Sequence, residues 1–198
     1  MPEQDAVLAI TSGLGDMQAV LNIVWDHLLP AMQSSPLTSK DTSALKRKIS
    51  SLAISAPSGA ASSPNAIDVS HGAYRVVSNE RKIVEIAFSF EGGECTVDIK
   101  DDKGWRKLSA GSTAWVKGNA QIADQPNAKF AAKGAWADPD TYTMKLCFYE
   151  GPYIQTMSCA FSGSQVKVDF KQNVTFGPAQ NQTLIGYKNG KDIDLTHP

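Results

Sequence analysis

A chain of 198 residues, 42% hydrophobic and 20% charged, has room for one domain plus an appendage and is too apolar to be disordered throughout. A net charge of −1 with a pI of about 6.3 gives no basic surplus to hold a phosphate backbone, which argues against nucleic-acid binding. No apolar run reaches the ~20 residues of a spanning helix, and the acidic start Met1-Pro2-Glu3-Gln4-Asp5 lacks the basic opening of a signal peptide.

The first apolar run, Val7-Leu8-Ala9-Ile10, is hydrophobic on both alternating faces and predicts a strand covered on both sides. Gly13 and Gly15 break it, and Asp16 stands where a helix N-cap is favourable. Met17, Val20, Leu21, Val24 and Leu28 then recur at helical spacing, with Pro30 expected to end or kink the helix. Burying each such side chain gains about 1.5–3 kcal/mol, so this stripe should dock on a partner surface. Residues 34–40 read as a polar loop. Asp41 or Thr42 can cap a second short helix carrying Leu45, Ile49 and Leu52. Residues 55–66 are small, polar and proline-broken, a linker composition that places the boundary between a first segment, 1–54, and a second, 67–188.

From residue 67 the period changes to two. Val84, Ile86, Phe88 and Phe90, then Cys95, Val97 and Ile99, flank Gly92-Gly93, a hairpin signal. Phe130 to Trp136, Tyr142 to Phe148, Met157 to Phe161 and Val166 to Phe170 continue the alternation, separated by Asp138-Pro139-Asp140, Gly151-Pro152 and Ser162-Gly163-Ser164. The pattern predicts seven to nine strands in an antiparallel barrel or lipocalin-like meander, and a mainly β fold of the α+β class: an N-terminal strand, two helices, then the barrel. Residues 189–198 read as a polar tail.

Ser43-Ala44-Leu45-Lys46 has the Ser-x-x-Lys spacing that sets a lysine amine beside a serine hydroxyl one helical turn away. It lies in a polar connector and reads better as a first-turn serine and a solvated lysine. Thr11-Ser12-Gly13 has no cation where a Lys-Ser/Thr-Gly element would need one, and reads as a strand end. His27, His71 and His197 are far apart and without ligand-like neighbours, so neither a metal nor a cofactor is expected. Cys95, Cys147 and Cys159 show no metal spacing. A hairpin centred on Tyr153 would set Cys147 opposite Cys159, and one centred earlier would not. Trp105, Trp115, Trp136, Phe148, Tyr149 and Tyr153 are the candidate ligand-binding residues, weighed against simple filling of the barrel.

Two stretches, Ala6 to Met32 and Gly134-Ala135-Trp136 through Tyr149-Glu150 with Asn173-Val174-Thr175-Phe176-Gly177-Pro178, resemble the C-terminal part of bacterial β-lactamase-related serine hydrolases. There a terminal strand and helix are followed by an appended β-rich domain. In that family the nucleophile and its partner motifs precede the terminal helix, and none is present here in order. The resemblance therefore implies no catalytic residue. It implies a non-catalytic accessory module, not an enzyme by itself, docking on a hydrolase domain or a second copy of the chain, periplasmic or secreted with an exported parent. The alternative reading is a barrel that binds a small apolar or cell-wall-derived ligand.

Overall fold

The computed structural model describes residues 1–32, 41–70, 72–122, 125–175 and 182–188. Contacts divide the chain into two compact units, Met1–Ser55 and Ala56–Pro198. The polar loop at 34–40, His71, His197, Asn181 and the tail at 189–198 lie outside the described residues.

In the first unit the expected strand at residues 7–10 does not form. A strand needs a neighbour to take its backbone N–H and C=O groups, and no second strand is found among the described residues of this unit. The expected helix does form. Asp16 caps it, its Oδ1 accepting from the Ala19 backbone N–H at 3.0 Å. Helix α1 (Met17–Ile23) widens into a π-helical stretch, Val24–Leu28, and resumes as α2 (Leu29–Ala31). The Leu29 N–H donates back to the Val24 carbonyl, five residues earlier. Pro30, with no N–H and a ring that crowds the preceding turn, accounts for the widening. Of the stripe, Val24 is buried, Val20 is half-buried, and Met17, Leu21 and Leu28 are exposed. Helix α3 (Ser43–Ser50) follows; Asp41 accepts from the Ser43 N–H at 2.9 Å, and this bond holds its carboxyl below the usual range.

In the second unit, residues 56–70 carry a short helix, α4 (Ala66–Val69). This stretch, of linker composition up to residue 66, is bonded to the strands. Ala60 exchanges backbone hydrogen bonds with Trp136 at 2.8 and 2.9 Å, Ser63 Oγ donates to the Pro139 carbonyl at 2.6 Å, and Asn65 donates to Asp140 at 2.7 Å. Ten strands follow among the described residues: β1 (Gly72–Val76), β2 (Glu85–Glu91), β3 (Glu94–Asp101), β4 (Gly104–Gly111), β5 (Val116–Ile122), β6 (Gln125–Asp138), β7 (Thr141–Cys147), β8 (Ile154–Ser162), β9 (Gln165–Gln172) and β10 (Gln182–Lys188). They run as an antiparallel meander in the order β4-β3-β2-β1-β10-β9-β8-β7-β6-β5. A parallel pairing of Gly111 in β4 with Lys133 in β6 shuts the sheet into a closed barrel, with β5 as a hairpin partner of β6.

Period-two patterning makes this core. In β9, Val166, Val168 and Phe170 point inward and are buried, while Lys167 and Lys171 are exposed. The turn between β2 and β3 is Gly92-Gly93 with φ of 59° and 81°, a two-residue turn that needs positive φ at both positions. One phase differs from expectation. Ile83 is buried and Val84 is 51% exposed, because the chain has not yet entered β2 at these residues.

The centre of the core is aromatic. Trp136 faces Tyr142 across β6 and β7 with ring centroids 5.4 Å apart, and Phe90 lies 4.7 Å from Trp136 and 4.9 Å from Tyr142. The Tyr142 ring end occupies the space over Gly134, where a Cβ would sit 2.0 Å from the hydroxyl oxygen. Tyr142 packs edge-on against Phe90 and Trp136, so moving its ring would disturb both contacts. Gly134→Ala should therefore cost about 1–3 kcal/mol, as overpacking does. The urea midpoint of the variant measures this, and an unchanged midpoint would show that the ring can yield.

The register of β7 on β8 pairs Cys147 with Ile154 and Tyr142 with Cys159. The hairpin is thus centred before Tyr153, Cys147 and Cys159 are not opposite, and all three cysteines are free thiols.

Candidate functional site

Successive turns of the meander fall at alternate ends of the barrel. The turns at 92–93, 139–140 and 163–164 lie at one end with the 56–70 segment. The connections at 77–84, 102–103 and 148–153 lie at the other. A cavity of about 280 Å³ opens at this second end. Its inner walls are Ile83, Ile99, Leu108, Leu146 and Phe170, all buried members of the core. Around its mouth stand Arg81, Arg106, Gln121, Tyr153, Gln155 and Gln172.

Strand phase explains the mouth. Arg106 lies two residues before Leu108 in β4, Gln155 two before Met157 in β8, and Gln172 two after Phe170 in β9. Each shares the inward face with its buried neighbour. At this end, the inner face therefore changes from apolar to polar within one alternation step.

Arg81 comes from the β1–β2 connection, and Asn79 shapes that loop. Its side-chain amide donates to the carbonyls of Val77 at 2.8 Å and Ile83 at 2.7 Å, and its oxygen accepts from the Ile83 N–H at 3.2 Å. Lys82 takes a left-handed φ of 54° at the tip. The Arg81 guanidinium lies 4.3 Å above the Phe170 ring, and its Nε donates to Gln182 Oε1. Burial, and then the positive charge of Arg106, pull the Arg81 pKa below its ordinary value. Arg106 Nη2 pairs with Asp101 Oδ2 at 2.9 Å, and the Asp101 side chain is only 7% exposed. Arg106 Nε is buried without a hydrogen-bond partner among the described residues.

The aromatic candidates separate. Phe148 and Tyr153 line this cavity. Trp136 lines a second cavity of about 230 Å³ at the opposite end, with Phe90 and Tyr142. Trp105 and Tyr149 are exposed, at 57% and 47%, and Trp115 is half-buried. Arg81 and Arg106 were not among the sequence candidates. The phase of Arg106 relative to Leu108 is a signal that could have found it; Arg81, in a connection, gives none. Ser43 and Lys46 are both exposed in the first unit. Among the described residues no group of three His, Cys, Asp or Glu side chains could hold a metal ion, and no helix is long and apolar enough to cross a membrane.

No family model matches the chain, and no curated protein matches it. Solved structures do. A protein titled REP1-NXSQ fatty acid transporter matches at 9% identity and TM-score 0.45, over 65% of this chain and 100% of its own. A fatty-acid-binding protein from the brain of Drosophila melanogaster matches at 8% identity and TM-score 0.44, over 62% and 99%. One from Schistosoma mansoni, in complex with arachidonic acid, matches at 7% and 0.44, over 62% and 96%. The resemblance to β-lactamase-related serine hydrolases is corrected by these findings. The barrel's neighbours carry fatty-acid-binding titles, no family model or curated relative ties the chain to a hydrolase, and the strand that should complete a hydrolase sheet is absent at residues 7–10. Nothing in these findings supports the accessory role or the hydrolase-domain partner.

Proposed function

We propose that the barrel is a binding module for a small apolar ligand, held in the cavity walled by Ile99, Leu108, Leu146 and Phe170. The observation that carries this reading is an open space of about 280 Å³ against core side chains. Protein interiors are close-packed, and voids larger than a water molecule are few. Space of this size beside aliphatic walls forgoes packing that a larger side chain would supply. Ligand pockets run from about 300 to 1,000 Å³, so the cavity suits a small occupant and not a bulky one. Apolar walls with a few polar groups at one side are the usual make-up of such sites.

Thermal shift with a panel of six- to ten-carbon amphiphiles, charged and neutral, tests the reading. A ligand at 100 times its Kd should stabilise the protein by about 2.7 kcal/mol, enough to raise Tm by several degrees. Ala120→Phe, which projects a ring into the cavity, should abolish the shift while the variant stays folded by circular dichroism. A panel without any shift, or an undiminished shift in the variant, would remove the cavity as the binding site.

A further inference from the structure

We infer that the second cavity, at the end of the barrel opposite the first, is a separate binding site for a small planar aromatic ligand, about two fused rings in size, packed against Phe90, Trp136 and Tyr142. The inference does not depend on what the first cavity holds.

The walls of this cavity are aromatic. Trp136 and Tyr142 are 2% and 3% exposed, and they line it together with Phe90 and the buried Cys95. The three rings already pack on one another edge-on or tilted, with centroids 4.7 to 5.4 Å apart. Aromatic rings favour offset or edge-on neighbours at about 4.5–7 Å. A further flat ring extends the cluster in the geometry it already has. Ser62, Ser112, Glu91 and Glu94 also line the cavity; they are exposed or half-buried and form its rim.

The roof is a tied-down backbone carrying small side chains. Ala61, Ser62 and Ala66 close the cavity from the 56–70 segment. On one side of them Ala60 exchanges backbone bonds with Trp136 at 2.8 and 2.9 Å, and Gly59 runs so close that a Cβ there would sit 2.1 Å from the Trp136 carbonyl oxygen. Ser63 and Asn65 are bonded to the β6–β7 turn, and Ser70 Oγ accepts from the Phe90 N–H at 3.1 Å. Dropping the roof onto the rings would break these bonds. The gap is therefore held open by the fold, and its lining forgoes contacts that a ligand supplies.

Size narrows the ligand. Benzene, with six ring atoms, occupies a dry apolar cavity of about 150 Å³. At the same density the cavity here, about 230 Å³, takes about nine atoms, the size of indole. A flexible chain of that mass would lose rotamer freedom on binding, whereas a fused ring has none to lose.

A ¹H–¹⁵N NMR titration of the full chain with indole locates the site. The amides of Phe90, Gly92, Gly93, Cys95 and Trp136 should shift together and saturate at one equivalent, while those of Ile99, Leu108 and Leu146, around the first cavity, stay in place. Phenol should bind roughly two- to tenfold tighter than cyclohexanol, which has the same size and hydroxyl but no aromatic face, because that is the worth of a ring pair. Ala66→Phe, which sets a ring of the protein's own under the roof, should weaken indole at least about tenfold. Ala120→Phe, which fills the first cavity, should leave it unchanged. If indole moves only the amides around the first cavity, or is lost in Ala120→Phe and kept in Ala66→Phe, the second site is wrong. Cyclohexanol binding as tightly as phenol overturns the aromatic ligand. Absence of any saturable shift overturns the site, whatever the first cavity binds. Should Ala66→Phe not fold, the wild-type map and the phenol comparison decide by themselves.

Discussion

Replacing Trp136 by alanine should cost about 3–5 kcal/mol, the range for truncating a large aromatic side chain in a core. Trp136 is 2% exposed, and it touches three other rings: Phe90 at 4.7 Å, Tyr142 at 5.4 Å and Phe161 at 5.9 Å between centroids. Its backbone also holds Ala60, and through it the segment that lies across that end of the barrel. Each tilted or edge-on ring pair adds about 0.5–1.5 kcal/mol beyond its buried area, so the loss should fall in the upper part of the range. Domains of this size are stable by about 5–15 kcal/mol, and a change this large takes a substantial share of the whole. Urea unfolding followed by far-ultraviolet circular dichroism measures it. Trp136→Phe should keep more than half of the lost stability. A cost below about 1 kcal/mol for the alanine variant would mean that the ring cluster collapses to fill the space, contrary to the packing described.

Alkaline conditions should unfold the barrel between about pH 9 and pH 12. Four buried acids lie together in its core. Burial pushes the Tyr74 hydroxyl up to about 12, with Cys159 adding to the shift. Burial pushes the Cys95 thiol up to about 12, partly offset by a hydrogen bond from Tyr142. Tyr142 and Cys159 are raised too, again chiefly by burial. All four keep their protons in the folded protein at a pH where the unfolded chain, with ordinary values of 9.0 for cysteine and 10.0 for tyrosine, has begun to release them. The folded state therefore binds more protons, and stability falls as pH rises. Its contribution is fully present below the ordinary values and is lost on the way up to the raised ones. Each such group removes about 1.4 kcal/mol per pH unit within its window. Urea midpoints at pH 8, 10 and 11 should drop at an increasing rate. Tyrosinate absorbance from Tyr74 and Tyr142 should appear together with unfolding and not ahead of it. Smooth ionisation of both tyrosines near pH 10 in folded protein would contradict the burial of this cluster.

The barrel was legible because a two-residue period repeats through most of residues 84–170, and Gly92-Gly93, Asp138-Pro139-Asp140 and Ser162-Gly163-Ser164 mark turns that the structure contains. Where the period is interrupted, reading by pattern fails. Ile83 and Val84 exchange faces because Asn79 clamps a loop just before β2, a side-chain effect that alternation does not encode. The run at residues 7–10 has the composition of a strand but has no strand to pair with among the described residues of its unit. The aromatic residues, chosen by type, scatter over two cavities and the outer surface. The arginines at the mouth come from the β1–β2 connection and from β4, segments 25 residues apart in a chain of 198. Their meeting at one cavity depends on strand order and register, and the residue types alone do not reveal it.

The pairing of β1 with β10, Tyr74 against Lys188 and Val76 against Gly186, has a kinetic consequence. The barrel cannot be completed until its last strand has left the ribosome. Until then β1 and β9 each offer an unpaired edge, and the aromatic core sits behind a gap one strand wide. Loop closure over such a separation makes folding of all-β domains slow, on a scale of about milliseconds to seconds. The growing chain thus carries the open edge of β1 from residue 76 until β10 is made, with that of β9 beside it at the end, which is when strand-to-strand aggregation competes with folding.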